Sequence, residues 1–217
     1  VVEIRLPNRP RICIESCEYG KIRRKFTKKR KTRRQMLDSD DDDFLCDGSD
    51  YDSDKEISEL EKIHQAYQSM DKLSLLKSIA ELEKFHIDLV NQLIKTNSNP
   101  IYNKIEVVFN NLKAKFNLPY SQNFSLEYDQ IVSQGEVLSS KIVSAFLNEE
   151  KIKNKWLDIR EVIRTDSTFR EGQVDWELSE RKAQDAFKEV KVCVTQGFIG
   201  STMDGLTTTL GREGSDY

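Results

Sequence analysis

Charge is segregated along this chain, and the segregation decides where a hydrophobic core can form. Residues 21–34 are almost all Lys and Arg, and residues 38–54 are dominated by Asp and Ser. Like charges in blocks repel, and neither block holds enough apolar side chains to offset the entropy of ordering it. Residues 21–54 therefore cannot bury a core. From about Ile57 onward the sequence reads like an ordinary globular protein. The expected organisation is a charge-segregated segment, residues 1–55, followed by a folded domain, residues 56–217. Residues 1–20 hold a weak apolar scatter around the turn signal Pro7–Asn8–Arg9–Pro10, and no strand is drawn there.

Past the boundary, helical periodicity dominates. Leu75, Ile79, Leu82, His86, Leu89 and Leu93 recur at steps of three and four, the stripe of an amphipathic helix. Asn97–Ser98–Asn99–Pro100 stops it. A second helix is predicted over 102–116, with Ile105, Val108, Phe109 and Leu112 on one face, and Leu118–Pro119–Tyr120 breaks it. A third covers about 128–148. One of its faces carries Ile131, Leu138, Ile142, Ala145 and Phe146. An adjoining face carries Val132, Gly135, Ser139 and Val143, small enough to let another backbone approach. Residues 155–159 read as a short strand, and 175–187 as a helix with Asp175 as its N-cap. The β-branched run 190–195 reads as a buried strand. Helices alternating with short buried strands predict an α/β sandwich.

Composition excludes several functions. The net charge of −3 over 217 residues gives no overall field toward nucleic acid or membrane, and no eighteen-residue apolar run exists. The first residues lack the apolar stretch of a secretory signal. Cys13, Cys17, Cys46 and Cys193 form no Cys-x-x-Cys pair, so no protein-bound metal is expected. A reduced, cytoplasmic setting is the plain reading. His64 and His86 are the only histidines. Without a Gly-x-Ser-x-Gly elbow or a Walker-type loop, neither a Ser-His-Asp hydrolase nor a P-loop enzyme is expected.

Three stretches carry chemistry. The first is Thr208–Thr209–Leu210–Gly211–Arg212–Glu213–Gly214–Ser215–Asp216–Tyr217, which follows the loop Gln196–Gly197–Phe198–Ile199–Gly200. A glycine-bearing turn after a buried strand can aim several backbone amides at one anion, and a helix beginning at Ser215 would add about half a positive charge. Arg212 can clamp a carboxylate with two parallel hydrogen bonds, and Ser215 can donate another. By spacing alone, a surface turn with a solvated Arg is the commoner reading of such a string. The second stretch is Ser133–Gln134–Gly135–Glu136. Glu136 suits a substrate ammonium group, although a lone helix Glu is more often simply solvated. The third runs from 156 to 166. There Trp156 and Ile159 look like core, and Asp158, Arg160 and Glu161 could pair around a strand end.

In this order, Ser133–Gln134–Gly135–Glu136, Trp156–Leu157–Asp158–Ile159–Arg160, Ile163–Arg164–Thr165–Asp166 and the two glycine-bearing strings resemble bacterial aspartokinases of the amino-acid kinase superfamily. The resemblance spans roughly 57–217. Its last two strings argue against sister kinases acting on glutamate, acetylglutamate or uridylate. It implies a three-layer αβα sandwich of the amino-acid kinase type, here incomplete and with a large helical portion. It also implies transfer of the ATP γ-phosphate to the side-chain carboxylate of L-aspartate, the first step toward lysine, threonine and methionine. Carried over residue by residue, Glu136 would bind the substrate ammonium. Arg212, Glu213, Gly214 and Ser215 would form the carboxylate side. Asp216 would be the catalytic, organising residue beside the transfer site. L-aspartate and ATP would be the partners, with Mg²⁺ arriving on ATP, and the full-length protein would be a homo-oligomer.

The chain also departs from that family. The opening Lys-Phe-Gly-Gly strand and the Ser-Ala-rich segment are not found in residues 1–55, and the adenine-side portion would follow Tyr217. The expectation is thus an incomplete chain holding the aspartate-binding half, which puts productive ATP binding in question. Residues 1–55 are expected to be either disordered or an out-of-frame reading of the kinase start. A fusion to homoserine dehydrogenase remains an alternative. So does a nucleic-acid-binding module built on 21–34, although Phe26 is the only aromatic in that run and offers no stacking platform.

Overall fold

The computed structural model describes residues 2–4, 12–14, 53–188 and 191–211, with side chains from 59 onward. The chain divides into two compact units, Val1–Asp54 and Lys55–Tyr217. In the first, β1 (Val2–Ile4) pairs antiparallel with β2 (Ile12–Ile14). The sequence reading drew no strand there. Each strand has only three residues, too few for an alternation to stand out. The turn signal 7–10, the basic block and residues 38–52 of the acidic block lie outside the described residues.

The second unit opens with four helices, α1 (Ser53–Gln68), α2 (Lys72–Leu93), α3 (Ile101–Lys115) and α4 (Phe124–Glu149). On α1, Leu60, Ile63, His64 and Tyr67 are buried. That is the i, i+3, i+4, i+7 spacing of a helix face, a signal the sequence reading left undrawn. The α2 stripe buries Leu75, Ile79, Leu82, His86 and Val90. Leu89 and Leu93 lie at its flank, partly buried against the core. The α3 face buries Ile105, Val108, Phe109 and Leu112, as its periodicity predicts. Local hydrogen bonds start the helices. Asp71 accepts from the Ser74 amide at 3.1 Å, Asn99 from the Ile101 amide at 3.0 Å and Asn123 from the Leu126 amide at 3.0 Å. His86, fully buried, donates from Nδ1 to the Leu82 carbonyl at 2.8 Å and so serves as a packed helix residue.

The α/β half is built from short pieces. β3 (Lys155–Trp156) pairs parallel with β4 (Cys193–Val194), and β5 (Ile199–Ser201) pairs antiparallel with β6 (Thr207–Thr209). α5 (Trp176–Phe187) lies between β3 and β4 in sequence, capped by Asp175 accepting from the Leu178 amide at 3.0 Å. The predicted strand 155–159 is shorter than expected. Asp158 accepts from the Arg160 amide and turns the chain into a 3-10 helix, Ile159–Glu161. The described part of the 190–195 strand is likewise only Cys193–Val194. The mixed class with a large helical share holds, and among the described residues the sheets are two-stranded.

His64 sits at a polar seam in the helical core. Its Nε2 lies 2.9 Å from the Tyr120 hydroxyl, and the edges of Phe124 and Tyr128 pack on its ring. Burial pushes its pKa below the ordinary value of 6.5. The Glu127 and Glu61 carboxylates oppose that shift, and the Arg170 guanidinium adds to it. A base whose folded pKa is depressed is protonated more readily in the unfolded chain. Its contribution to stability is therefore complete above pH 6.5 and is lost as the pH falls below that value. Urea midpoints measured from neutral pH to about pH 5 should fall for the unmodified chain, with a shallower fall in His64→Phe. Equal slopes would contradict this assignment.

Candidate functional site

Helix α4 carries a polar stripe through a buried setting. Asp129, Ser133, Glu136 and Ser140 follow one another at steps of four, three and four, so they share one face. Both ends of the stripe are pinned. At the first end, the fully buried Asp129 carboxylate accepts three hydrogen bonds: from the Thr209 amide (2.9 Å), the Thr209 hydroxyl (2.9 Å) and the Arg170 amide (2.8 Å). Gln130 imitates a neighbouring strand, donating to the Thr207 carbonyl at 2.8 Å and accepting from its amide at 3.2 Å. At the other end, the Ser140 hydroxyl accepts from Trp156 Nε1 at 3.0 Å and from Gln196 Nε2 at 2.7 Å. Gln196 in turn accepts from the Ile159 amide at 2.8 Å.

Glu136 lies between these two anchors, half-buried, two turns and about 10 Å of helix rise from Asp129. One turn before it, the Ser133 hydroxyl is buried and lacks a hydrogen-bond partner. Buried hydroxyls in native proteins are nearly always paired, and this one is an exception among the described residues of α4.

The two glycine-bearing strings meet as the β5–β6 hairpin, with Ile199 opposite Thr209 and Gly200 opposite Thr208. The Leu210 amide continues the ladder to the Phe198 carbonyl at 2.9 Å. The far edge of β6 is held by the 164–175 loop. The Gly172 amide donates to the Thr209 carbonyl at 2.8 Å, and the Thr165 and Thr208 hydroxyls lie 2.7 Å apart. Gly211 ends the described stretch at φ +80°, a left-handed conformation that glycine adopts without strain. Arg212, Glu213, Gly214, Ser215 and Asp216 lie outside the described residues.

Electrostatics separates the buried Asp129 from the half-buried Asp158. Burial raises the pKa of Asp129, opposed by the two amides and the hydroxyl that it accepts from. Burial also pushes Asp158 upward, but its bonds to the Arg160 guanidinium, 2.8 and 2.6 Å, outweigh this and leave it lowered. Arg160 also donates to the Thr207 hydroxyl at 3.0 Å. It thereby joins the turn after β3 to the start of β6, a structural role. Glu161 is exposed. Trp156 and Ile159 pack against the core, and the Lys141 ammonium lies 4.9 Å from the Trp156 ring centroid. Asp129, Gln130 and Ser140 escaped the sequence reading, although the 4-3-4 polar spacing on α4 was a signal for Asp129 and Ser140.

A model of the amino acid kinase family matches residues 50–217. This chain belongs to the amino acid kinase family. Lysine-sensitive aspartokinase 3 of Escherichia coli is 40% identical over 92 residues, which are 41% of this chain and 20% of that protein. The chloroplastic bifunctional aspartokinase/homoserine dehydrogenase 1 of Arabidopsis thaliana is 30% identical over 162 residues, 71% of this chain and 18% of that protein. The fold is similar to that of E. coli aspartokinase III in complex with lysine and aspartate, with TM-score 0.64 and 26% identity, covering 73% of this chain and 36% of that one. This chain spans about a fifth of the length of the curated relatives it matches. Within this family member, no described helix is long and apolar enough to cross a membrane. No group of three or more His, Cys, Asp or Glu among the described residues could hold a metal ion.

The hairpin leaves no room at Gly200. A β-carbon there would lie 2.9 Å from Thr165 Cγ2, 3.0 Å from Ile163 Cγ2 and 3.1 Å from the Ile163 carbonyl. Thr165 is buried and tied to Thr208, so it cannot step aside freely. Gly200→Ala should destabilise the chain by about 1–3 kcal/mol, measured by urea denaturation.

Proposed function

We propose that this chain is the aspartate-binding part of an aspartokinase, which transfers the ATP γ-phosphoryl group to the side-chain carboxylate of L-aspartate and yields 4-phospho-L-aspartate. The observation that carries this reading is the half-buried Glu136 beside the orphaned Ser133 hydroxyl, on a helix tied to the β5–β6 hairpin. Its chemistry suits a small zwitterion with an extra carboxylate. Glu136 takes the ammonium group. Arg212, with Glu213, Gly214 and Ser215 of the same string, forms the carboxylate side, where a guanidinium gives bidentate pairing. Asp216 organises the transfer site.

A substrate carboxylate is already nucleophilic, so no general base is needed. The residues act by positioning and charge stabilisation. ATP is the co-substrate and brings Mg²⁺ with it. In this reading the full-length protein works in the cytoplasm as a homo-oligomer. Similarity to bifunctional relatives from E. coli and Arabidopsis supports a fused homoserine dehydrogenase as the variant form of the same reading.

Titration calorimetry with L-aspartate tests the proposal. Glu136→Ala and Arg212→Ala should each weaken binding by about tenfold or more, equivalent to about 1.4 kcal/mol. Deletion of 21–34 should leave it unchanged. If the deletion instead abolishes a salt-dependent DNA affinity while both point variants bind aspartate normally, the basic run is the functional element.

A further inference from the structure

We propose that Asp129 is a positioning residue that sets the distance between the ammonium and carboxylate sides of the substrate site; this rests on the aspartate-binding reading above. The carboxylate lies on α4, the element that also carries Glu136. Its three hydrogen bonds reach two other segments, β6 at Thr209 and the 164–175 loop at Arg170. Thr209 stands three residues before Arg212 in sequence. Both of Thr209's backbone groups are held from outside the hairpin, the amide by Asp129 and the carbonyl by the Gly172 amide.

Asp129 touches no reacting atom. It acts by locking the end of β6 to the same helix face that presents Glu136. A buried carboxylate with three donors aimed at it is rigid, because losing any one donor leaves charge desolvated and unpaired. Arg170 completes the clamp. Its backbone adopts φ +72°, a conformation that L side chains seldom take, and its guanidinium lies 4.6 Å from the Tyr128 ring centroid. The strained backbone and the stacked side chain fix the loop amide where Asp129 needs it.

The decisive experiment compares a ligand that uses both sides with one that uses only the carboxylate side. Affinities for L-aspartate and for succinate, which lacks the ammonium group, are measured on the unmodified chain, Asp129→Asn and Thr209→Val. Retention of fold is checked by near-ultraviolet circular dichroism. In Asp129→Asn, L-aspartate binding should weaken about tenfold while succinate binding changes about twofold or less, so the preference for L-aspartate collapses. Thr209→Val, which removes one of the three hydrogen bonds, should show a smaller change in the same direction. Exchange of the Thr209 and Arg170 amides should accelerate in Asp129→Asn. Equal weakening of both ligands, or an unchanged preference, overturns the positioning role. If the unmodified chain shows no preference for L-aspartate and Glu136→Ala changes nothing, the aspartate reading itself fails and takes this role with it.

Discussion

One buried carboxylate holds the two halves of the folded unit together. Removing Asp129 from water costs several kcal/mol unless its oxygens are satisfied. Two amides and a hydroxyl satisfy them, drawn from segments 41 and 80 residues away in sequence. The helical half supplies the acceptor and the strand half supplies the donors. Neither half can shift along α4 without leaving the carboxylate exposed to an apolar surrounding. Gln130 repeats the device with neutral groups on Thr207, and Ser140 with Trp156 and Gln196 closes the far end. Helix α4 is thus a rail with polar rivets at both ends. Between the rivets lie the half-buried Glu136 and the unpaired Ser133 hydroxyl, the part of the rail to which the proposed function assigns the substrate ammonium.

The rest of the fold serves that seam. The α1–α3 stripes bury one side of α4 in an apolar core whose largest members include Phe109, Ile131, Leu138 and Ile142. That packing holds the helix rigid, as positioning a small substrate requires. On the strand side, Gly200 and Gly172 let the backbones of β5, β6 and the 164–175 loop close up without side-chain bulk between them. Small shifts there would move the end of β6, so residues distant from Glu136 contribute to the geometry around it.

The helices were legible because their stripes are long and regular. The faces of α2 and α3 and the Asp175 cap stand where periodicity put them. The strands were harder. Two- and three-residue pieces such as Lys155–Trp156 lack an alternation long enough to read, and Asp158 turns the chain sooner than its apolar neighbours suggest. Glu136 was singled out through its motif and the glycine beside it, and its substrate role is a proposal. Asp129 was missed because its partners lie far along the chain, and a single Asp in a helix normally faces water. The spacing of Asp129, Ser133, Glu136 and Ser140 would have exposed it if read as a polar stripe inside a buried helix. Arg212 to Asp216, read from the motif alone, lie outside the described residues.

A crystal structure of the chain with L-aspartate bound tests the central claim most directly. The account predicts the ligand ammonium within about 3 Å of the Glu136 carboxylate, a ligand carboxylate on Arg212, and Asp129 still holding the Thr209 amide. Aspartate bound elsewhere, with Glu136 and Arg212 both untouched, would contradict it.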